Sequence, residues 1–283
     1  MIPADKNVMI WQLKNSCQGN MYLLAYKLKE MGAKAAWIKV ADGELDFNAD
    51  LLKAAAENLR NFGIAVWGWQ YLYGANRYTN QSIAAKEAEA AIRNINKYSL
   101  DGFVLDPEQH YKRAGASTWA ATYMTKLRSV LPDITIGLCS YRYPSLHPEL
   151  PWSQFLTKCD FHAPQVYWKL ATDSGKQLQR SADELRNLRN LPVVPVGAAY
   201  SEGGWAPTVG QIDEFNQTAH LMRLPGVSWW AWDDRGIEAH ADWYEAIRAH
   251  VWVTNPVQPE PTWQEAMDTW ARSMGYTGPK PNA

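Results

Sequence analysis

Short apolar runs alternate with amphipathic stretches of helical length along this chain, and the alternation completes eight times. The apolar runs predict strands at Val8 to Leu13, Ala35 to Val40, Ile64 to Trp69, Gly102 to Leu105, Thr135 to Cys139, His162 to Tyr167, Val193 to Ala198 and Gly226 to Trp232. Helical periodicity follows each of them, near Met21 to Met31, Asn48 to Phe62, Ser82 to Tyr98, Ser117 to Leu131, Pro151 to Thr157, Lys176 to Asn190, Thr208 to Met222 and Ala241 to Val251. Gly32, Gly63 and Pro132 close helices, and Pro192 and Pro225 stand before buried strands. Strict strand and helix alternation means parallel pairing, because a parallel neighbour needs a crossover. Eight such units in about 250 residues predict an α/β fold of the closed (β/α)8 TIM-barrel type. An open doubly wound sheet is the alternative, but no Gly-rich dinucleotide loop follows the first strand.

The pattern changes after residue 252. Residues 253–261 carry Thr-Asn-Pro-Val-Gln-Pro-Glu-Pro, a Pro-rich linker that cannot continue a helix. Residues 262–283 open with an amphipathic stretch, Thr262 to Met274, with Trp263 and Trp270 on one face. The predicted organisation is a barrel over 1–252, the linker, and a C-terminal helix and tail.

Composition narrows the partners. With 283 residues, 47% hydrophobic content and a formal net charge of −1, nothing favours nucleic acid or an anionic membrane surface. The expected partner is neutral, or is bound without net charge. No basic segment followed by an apolar one opens the chain, and no run of about 18 apolar residues occurs. Cys17, Cys139 and Cys159 are spaced for neither a metal nor a redox motif and read as free thiols in or near the core. His110 and His162 have no partner at ligand spacing, so no metal or cofactor is expected. The 15 Trp and 14 Tyr exceed what a core of this size needs, which predicts aromatics on a binding surface, with flat sugar faces as their natural ligands. Trp37, Trp119 and Trp243 read as core.

The run Asp101-Gly-Phe-Val-Leu-Asp106-Pro-Glu108 holds the candidate chemistry. As a strand it puts Val104, Asp106 and Glu108 on one face, with Phe103 and Leu105 on the other. The same residues also spell a helix start, with an N-cap carboxylate, Pro at the first position and an acid in the first turn. In a barrel the active site lies at the carboxyl ends of the strands. The chain places Lys39, Asp42, Trp67, Trp69, Tyr71, Asp106 and Glu108 at the first of these ends. Ser140, Tyr141, Arg142, Gln165, Tyr167, Trp168, Tyr200, Trp230, Trp232, Asp233 and Asp234 follow. Carboxylates among aromatics describe a glycosidase cleft, where rings stack on sugars and an acid protonates the departing oxygen.

The run Asp101 to Glu108 resembles the fourth-strand signature of glycoside hydrolase family 18, the chitinases and endo-N-acetylglucosaminidases, Asp-Gly-x-Asp-x-Asp-x-Glu, with Val104 in place of the middle Asp. Gln165-Val-Tyr167 resembles that family's sixth-strand Gln-x-Tyr, and Val227-Ser-Trp-Trp230-Ala-Trp232 its eighth strand, which ends in a Trp forming the floor of the sugar subsite. The resemblance implies that Glu108 is the general acid, that Asp106 orients the substrate's acetamido group, and that Tyr167 helps to hold it. The amide oxygen would then attack the anomeric carbon, a substrate-assisted and retaining route. Trp37-Ile-Lys39-Val-Ala-Asp-Gly43 and Leu105-Asp106-Pro-Glu108 are similar to stretches of glycoside hydrolase family 25, the barrel lysozymes, although the first strand, Met9-Ile-Trp11-Gln-Leu-Lys, lacks that family's Asp. Both resemblances imply a polysaccharide of N-acetylated amino sugars, chitin-like or peptidoglycan-like, with action outside the cell or at a cell wall.

Three expectations follow for the site. Glu108 should sit against apolar walls from Trp67, Trp69 or Trp232 that keep it protonated near neutrality. Tyr71, Tyr141, Gln165, Trp168, Tyr200, Trp230 and Asp233 join those residues as substrate-binding candidates, although Asp233-Asp-Arg-Gly also reads as a turn and cap. Val104 leaves Asp106 one hydrogen-bonding neighbour short, so a barrel that binds saccharide without cutting it, within a cell-surface or virion assembly, is the alternative function.

Overall fold

The computed structural model describes residues 1–76 and 78–252. Eight parallel strands form the sheet: β1 Asp5–Ile10, β2 Ala33–Asp42, β3 Ala65–Leu72, β4 Gly102–Pro107, β5 Ile136–Tyr141, β6 Phe161–Val166, β7 Val196–Ala198 and β8 Gly226–Trp230. Each pairs with its neighbour in sequence, and β1 pairs with both β2 and β8, which closes the barrel. The helices between them are α1 Met21–Met31, α2 Leu52–Asn61, α3 Ala84–Tyr98, α4 Ala116–Val130, α5 Trp152–Leu156, α6 Ser174–Leu188, α7 Val209–Leu221 and α8 Ala241–Ala249. A two-residue strand, Leu45–Asp46, folds back antiparallel on the end of β2. This is the (β/α)8 barrel that the periodicity predicts, contained in Met1–Val251. The expected linker and C-terminal helix lie outside the described residues.

Local chemistry sets the element ends. Asn20 caps α1 by accepting from the Leu23 amide, and Gly32 ends it in the left-handed conformation at φ 82°. Thr208 and Gln211 form a reciprocal capping box on α7. Where the prediction starts the second helix at Asn48, the helix starts at Leu52. The reason is that the Asn48 side chain is used elsewhere: its amide donates to the carbonyls of Trp11 and Lys39 and its oxygen accepts from the Leu13 amide. The seventh strand is shorter than predicted because Pro192 and Pro195 offer no N–H to the ladder.

Alternation along the strands turns one face of each into the barrel, where Met9, Ala35, Trp37, Trp67, Trp69, Val104, Cys139, Phe161, Ala163, Val194 and Val196 form a single buried cluster. Two glycines make room for its largest rings. A Cβ on Gly102 would lie 2.3 Å from the Trp67 ring, and one on Gly137 would lie 2.3 Å from the Phe161 ring. The interior is therefore a packed floor beneath the carboxyl-end face.

The loop after β3 is held from below by a buried carboxylate. Glu87, in the first turn of α3, is fully buried and accepts from the amides of Tyr73 at 2.7 Å and Gly74 at 3.1 Å. Burial raises its carboxyl from the ordinary 4.5 to about 7, against the pull of those two amides. A folded-state value above the unfolded one means that its stabilising contribution is complete below pH 4.5 and is lost as pH rises through about 7. The span corresponds to ~3 kcal/mol. Glu87→Gln is expected to flatten this slope, so that urea midpoints at pH 5 and pH 8 differ less than in the parent. An equal difference in both proteins would assign the slope to other groups.

Candidate active site

Asp106 lies within β4 and Glu108 directly after it, while α4 begins only at Ala116. The Asp-Pro-Glu run is thus a strand end rather than a helix start, and Glu108 precedes a single turn, Gln109–Tyr111. Asp106 shares the inward face with Val104, and the half-buried Glu108 follows on that face. From β6, the Nε2 amide of Gln165 donates to Asp106 Oδ1 and to Glu108 Oε1, both at 2.9 Å. A primary amide has two N–H bonds, and here each holds one carboxylate.

Burial raises the Asp106 carboxyl well above the usual range, and the Glu108 charge adds to the effect. Lys39, the Cys139 thiol and Gln165 pull the other way. Lys39 reaches the barrel mouth from β2, 7% exposed, with Nζ 2.9 Å from Asp42 Oδ1 and 5.2 Å from the Trp69 ring. Tyrosines line the pair. Burial, then the charges of Glu108 and Asp106, push up the hydroxyls of Tyr71 and Tyr141, the latter to about 12. The Tyr167 hydroxyl is raised by burial, with Cys139 and both carboxylates contributing. Tyr71 shares a 2.9 Å hydrogen bond with His110 Nδ1, and Tyr167 meets Tyr200 edge-on at 5.4 Å.

The structure brings together Asp106, Glu108, Gln165, Tyr71, Tyr141 and Tyr167, with Tyr200 beside them. Trp230 is half-buried, its ring 5.6 Å from Trp69. Four expected binding residues are placed otherwise. Trp67 pairs with Gly102, four residues before Tyr71 pairs with Asp106, so at about 3.3 Å per residue it lies deep beneath the mouth. Its ring packs on Trp37 and Phe161 and is no wall for Glu108. Trp69 is only 3% exposed and donates its ring N–H to the Ile10 carbonyl, making it floor under Trp230. Trp168 is fully buried against Phe215 of α7, because alternation turns it away from Tyr167. Trp232 is fully buried beside Tyr244 of α8, so its ring has no free face for a sugar.

Asp233 is 7% exposed and accepts from the Arg235 amide at 2.9 Å, the turn reading of that run. Ser140 is likewise engaged, donating to the Pro107 carbonyl at 2.6 Å. Trp37, Trp119 and Trp243 are buried, and the three cysteines are free and buried. Cys139 is the neighbour that sequence reasoning missed: its thiol lies against Asp106 and favours the Asp106 anion. The inward alternation of β5 was the signal that could have found it. Among the described residues, no His, Cys, Asp or Glu group is arranged to hold a metal ion, and no helix is long and apolar enough to cross a membrane.

Gln165→Leu removes the donor shared by both carboxylates while roughly keeping the volume. Its expected cost is about 2 kcal/mol of folding stability, measured by urea unfolding at pH 7. A variant as stable as the parent would mean that water replaces the amide without loss.

No family model matches this chain, and no curated protein matches it. Solved structures do. A chitinase from Bacteroides thetaiotaomicron superposes with a TM-score of 0.67 at 10% identity, over 87% of this chain and 95% of that one. An endo-beta-1,4-mannanase from Thermotoga petrophila gives 0.66 at 10% identity, over 88% and 76%. A GH18 chitinase from Flavobacterium johnsoniae gives 0.61 at 12% identity, over 87% and 93%. At such identities the likeness establishes the barrel fold.

Proposed function

We propose that this chain is a glycoside hydrolase cleaving a polymer of N-acetylated amino sugars, with Glu108 as proton donor. The observation that carries this reading is the carboxylate pair at the end of β4, joined through one amide of Gln165 within walls of tyrosine. That the fold neighbours include enzymes named as chitinases and mannanases supports the same reading.

Asp106 is the more buried member of the pair, and burial together with the Glu108 charge favours its protonated form before a sugar binds. A bound sugar adds its acetamido N–H to the groups that favour the Asp106 anion, and the proton passes to Glu108. Glu108 then gives it to the bridging oxygen as the glycosidic C–O bond breaks. The acetamido oxygen of the same sugar bonds to the anomeric carbon, forming a cyclic oxazolinium whose charge Asp106 balances and whose oxygen side Tyr167 holds. Water, losing a proton to Glu108, opens that ring at the same carbon with net retention. Tyr71, Tyr141, Tyr200 and Trp230 supply the surfaces on which the sugars rest.

The test is the appearance of new reducing ends on chitin oligomers and on purified cell wall, with the anomer of the first product followed by NMR. Retention agrees with this route, and an inverted product would overturn it. Val104 favours a second reading, saccharide binding without cleavage, because a fully buried valine offers Asp106 no partner for its proton. Unlike a barrel with its acid neutralised, however, Glu108 is paired with neither Lys39, which binds Asp42, nor Arg142, which donates to the Tyr167 carbonyl. Glycan retention without reducing ends after long incubation would decide for the second reading.

A further inference from the structure

The loops after β4 and β5 form one flank of the cleft, and their cations are uncompensated. Lys112, Arg113 and Arg142 have no acidic partner within ion-pair distance among the described residues. Elsewhere on the same face, Lys39 pairs with Asp42 and Lys169 with Glu202. Arg113 is drawn aside by the Asn80 side chain and lies over the Trp119 ring. The other two are held by uncharged groups. Lys112 Nζ stands 4.1 Å over the Tyr141 ring and 2.5 Å from His147 Nδ1, while the His147 ring stacks on Tyr141 at 3.7 Å. Burial, then the Lys112 charge, lowers His147, so it stays neutral and accepts from the ammonium. Glu149, whose charge reaches His147 and Tyr141, pairs with neither cation. Arg142 donates to the Tyr167 carbonyl and lies over the Tyr143 ring at 4.8 Å.

Lys112, half-buried, is thus fixed over Tyr141 with N–H bonds to spare, and Arg142, next in the chain after Tyr141, also keeps free donors, an ammonium having three N–H bonds and a guanidinium five. A positive charge pinned against rings rather than water gains more from an incoming anion than a solvated one. The same anion is repelled from the net negative charge of the Asp106 and Glu108 pair, which leaves this flank as its seat. We infer that the glycan bound here carries a carboxylate substituent, seated by Lys112 beside Tyr141. This rests on the glycan reading above and narrows it from neutral polymers to acid-bearing ones.

The test compares an N-acetylated amino-sugar glycan bearing carboxylates with the same glycan after its carboxyls have been reduced to alcohols. Affinity electrophoresis of the parent and of Lys112→Met and Lys112→Arg measures retention, and new reducing ends are scored in parallel. The parent is expected to be retained at about tenfold lower concentration of the carboxylate form. That ratio should fall toward one in Lys112→Met and persist in Lys112→Arg. Equal retention of the two glycans by the parent, or an unchanged ratio in folded Lys112→Met, would overturn the inference. Release of reducing ends with no preference sinks this inference and leaves the hydrolase reading standing. A preference without any release does the reverse.

Discussion

Glu108→Gln is expected to lower the hydrolysis of N-acetylated glycan by about a thousandfold, the usual share of a positioned general acid. The substitution keeps the shape, and a carboxamide oxygen can still accept from Gln165 Nε2, which now donates to Glu108 at 2.9 Å. Binding should therefore persist while proton delivery stops. The loss has an internal check, because an aryl glycoside whose leaving group departs as an anion needs no proton. On such a substrate the variant should retain far more of the parent rate than on the polymer. If both substrates lose activity equally, the residue positions the sugar instead of protonating the leaving oxygen. If the polymer is cut at the parent rate, the acid lies elsewhere.

The second large effect is on stability. Trp37 is fully buried at the heart of the barrel, with ring centroids 6.1 Å from both Trp67 and Phe161. Trp37→Ala leaves a cavity that two strand glycines, already filled against by Trp67 and Phe161, cannot collapse into. The expected cost is about 3–5 kcal/mol, and for a domain of this size the melting temperature should fall by on the order of 10 °C. Tyr22→Ala on the outer face of α1, where Tyr22 is 61% exposed, is the comparison, with an expected change within about 0.5 kcal/mol. Similar losses at both positions would mean that the barrel interior is less tightly packed than the ring contacts indicate.

The same tryptophan shows how far the fold was legible. Trp37 reads as core from its place in an apolar run, and it is core, because period-two alternation within eight predicted strands leaves few other places for it. The strand and helix alternation carried the barrel, and misjudged ends had local causes, such as Asn48 diverting its side chain to three backbone groups. The aromatics of the site were less legible. A tryptophan near a strand end looks the same in sequence whether it faces the mouth, the floor or an outer helix. Trp67, Trp69, Trp168 and Trp232 read from the sequence as sugar-binding and lie in the floor or against helices. The tyrosines at the mouth are the residues that feel the carboxylates.

By itself the sequence determined the closed eight-stranded architecture, which follows from periodicities that act over a few residues, while it left the Asp106 to Glu108 run open between a strand end and a helix start, and the tertiary structure decided for the strand. Only the tertiary structure decided what surrounds those carboxylates. Gln165 reaches Glu108 from 57 residues away in sequence, the Cys139 thiol lies against Asp106, and Lys112 stands over Tyr141. Such neighbours are set by strand register and barrel closure, which bring distant segments to one place, and no local pattern encodes that convergence.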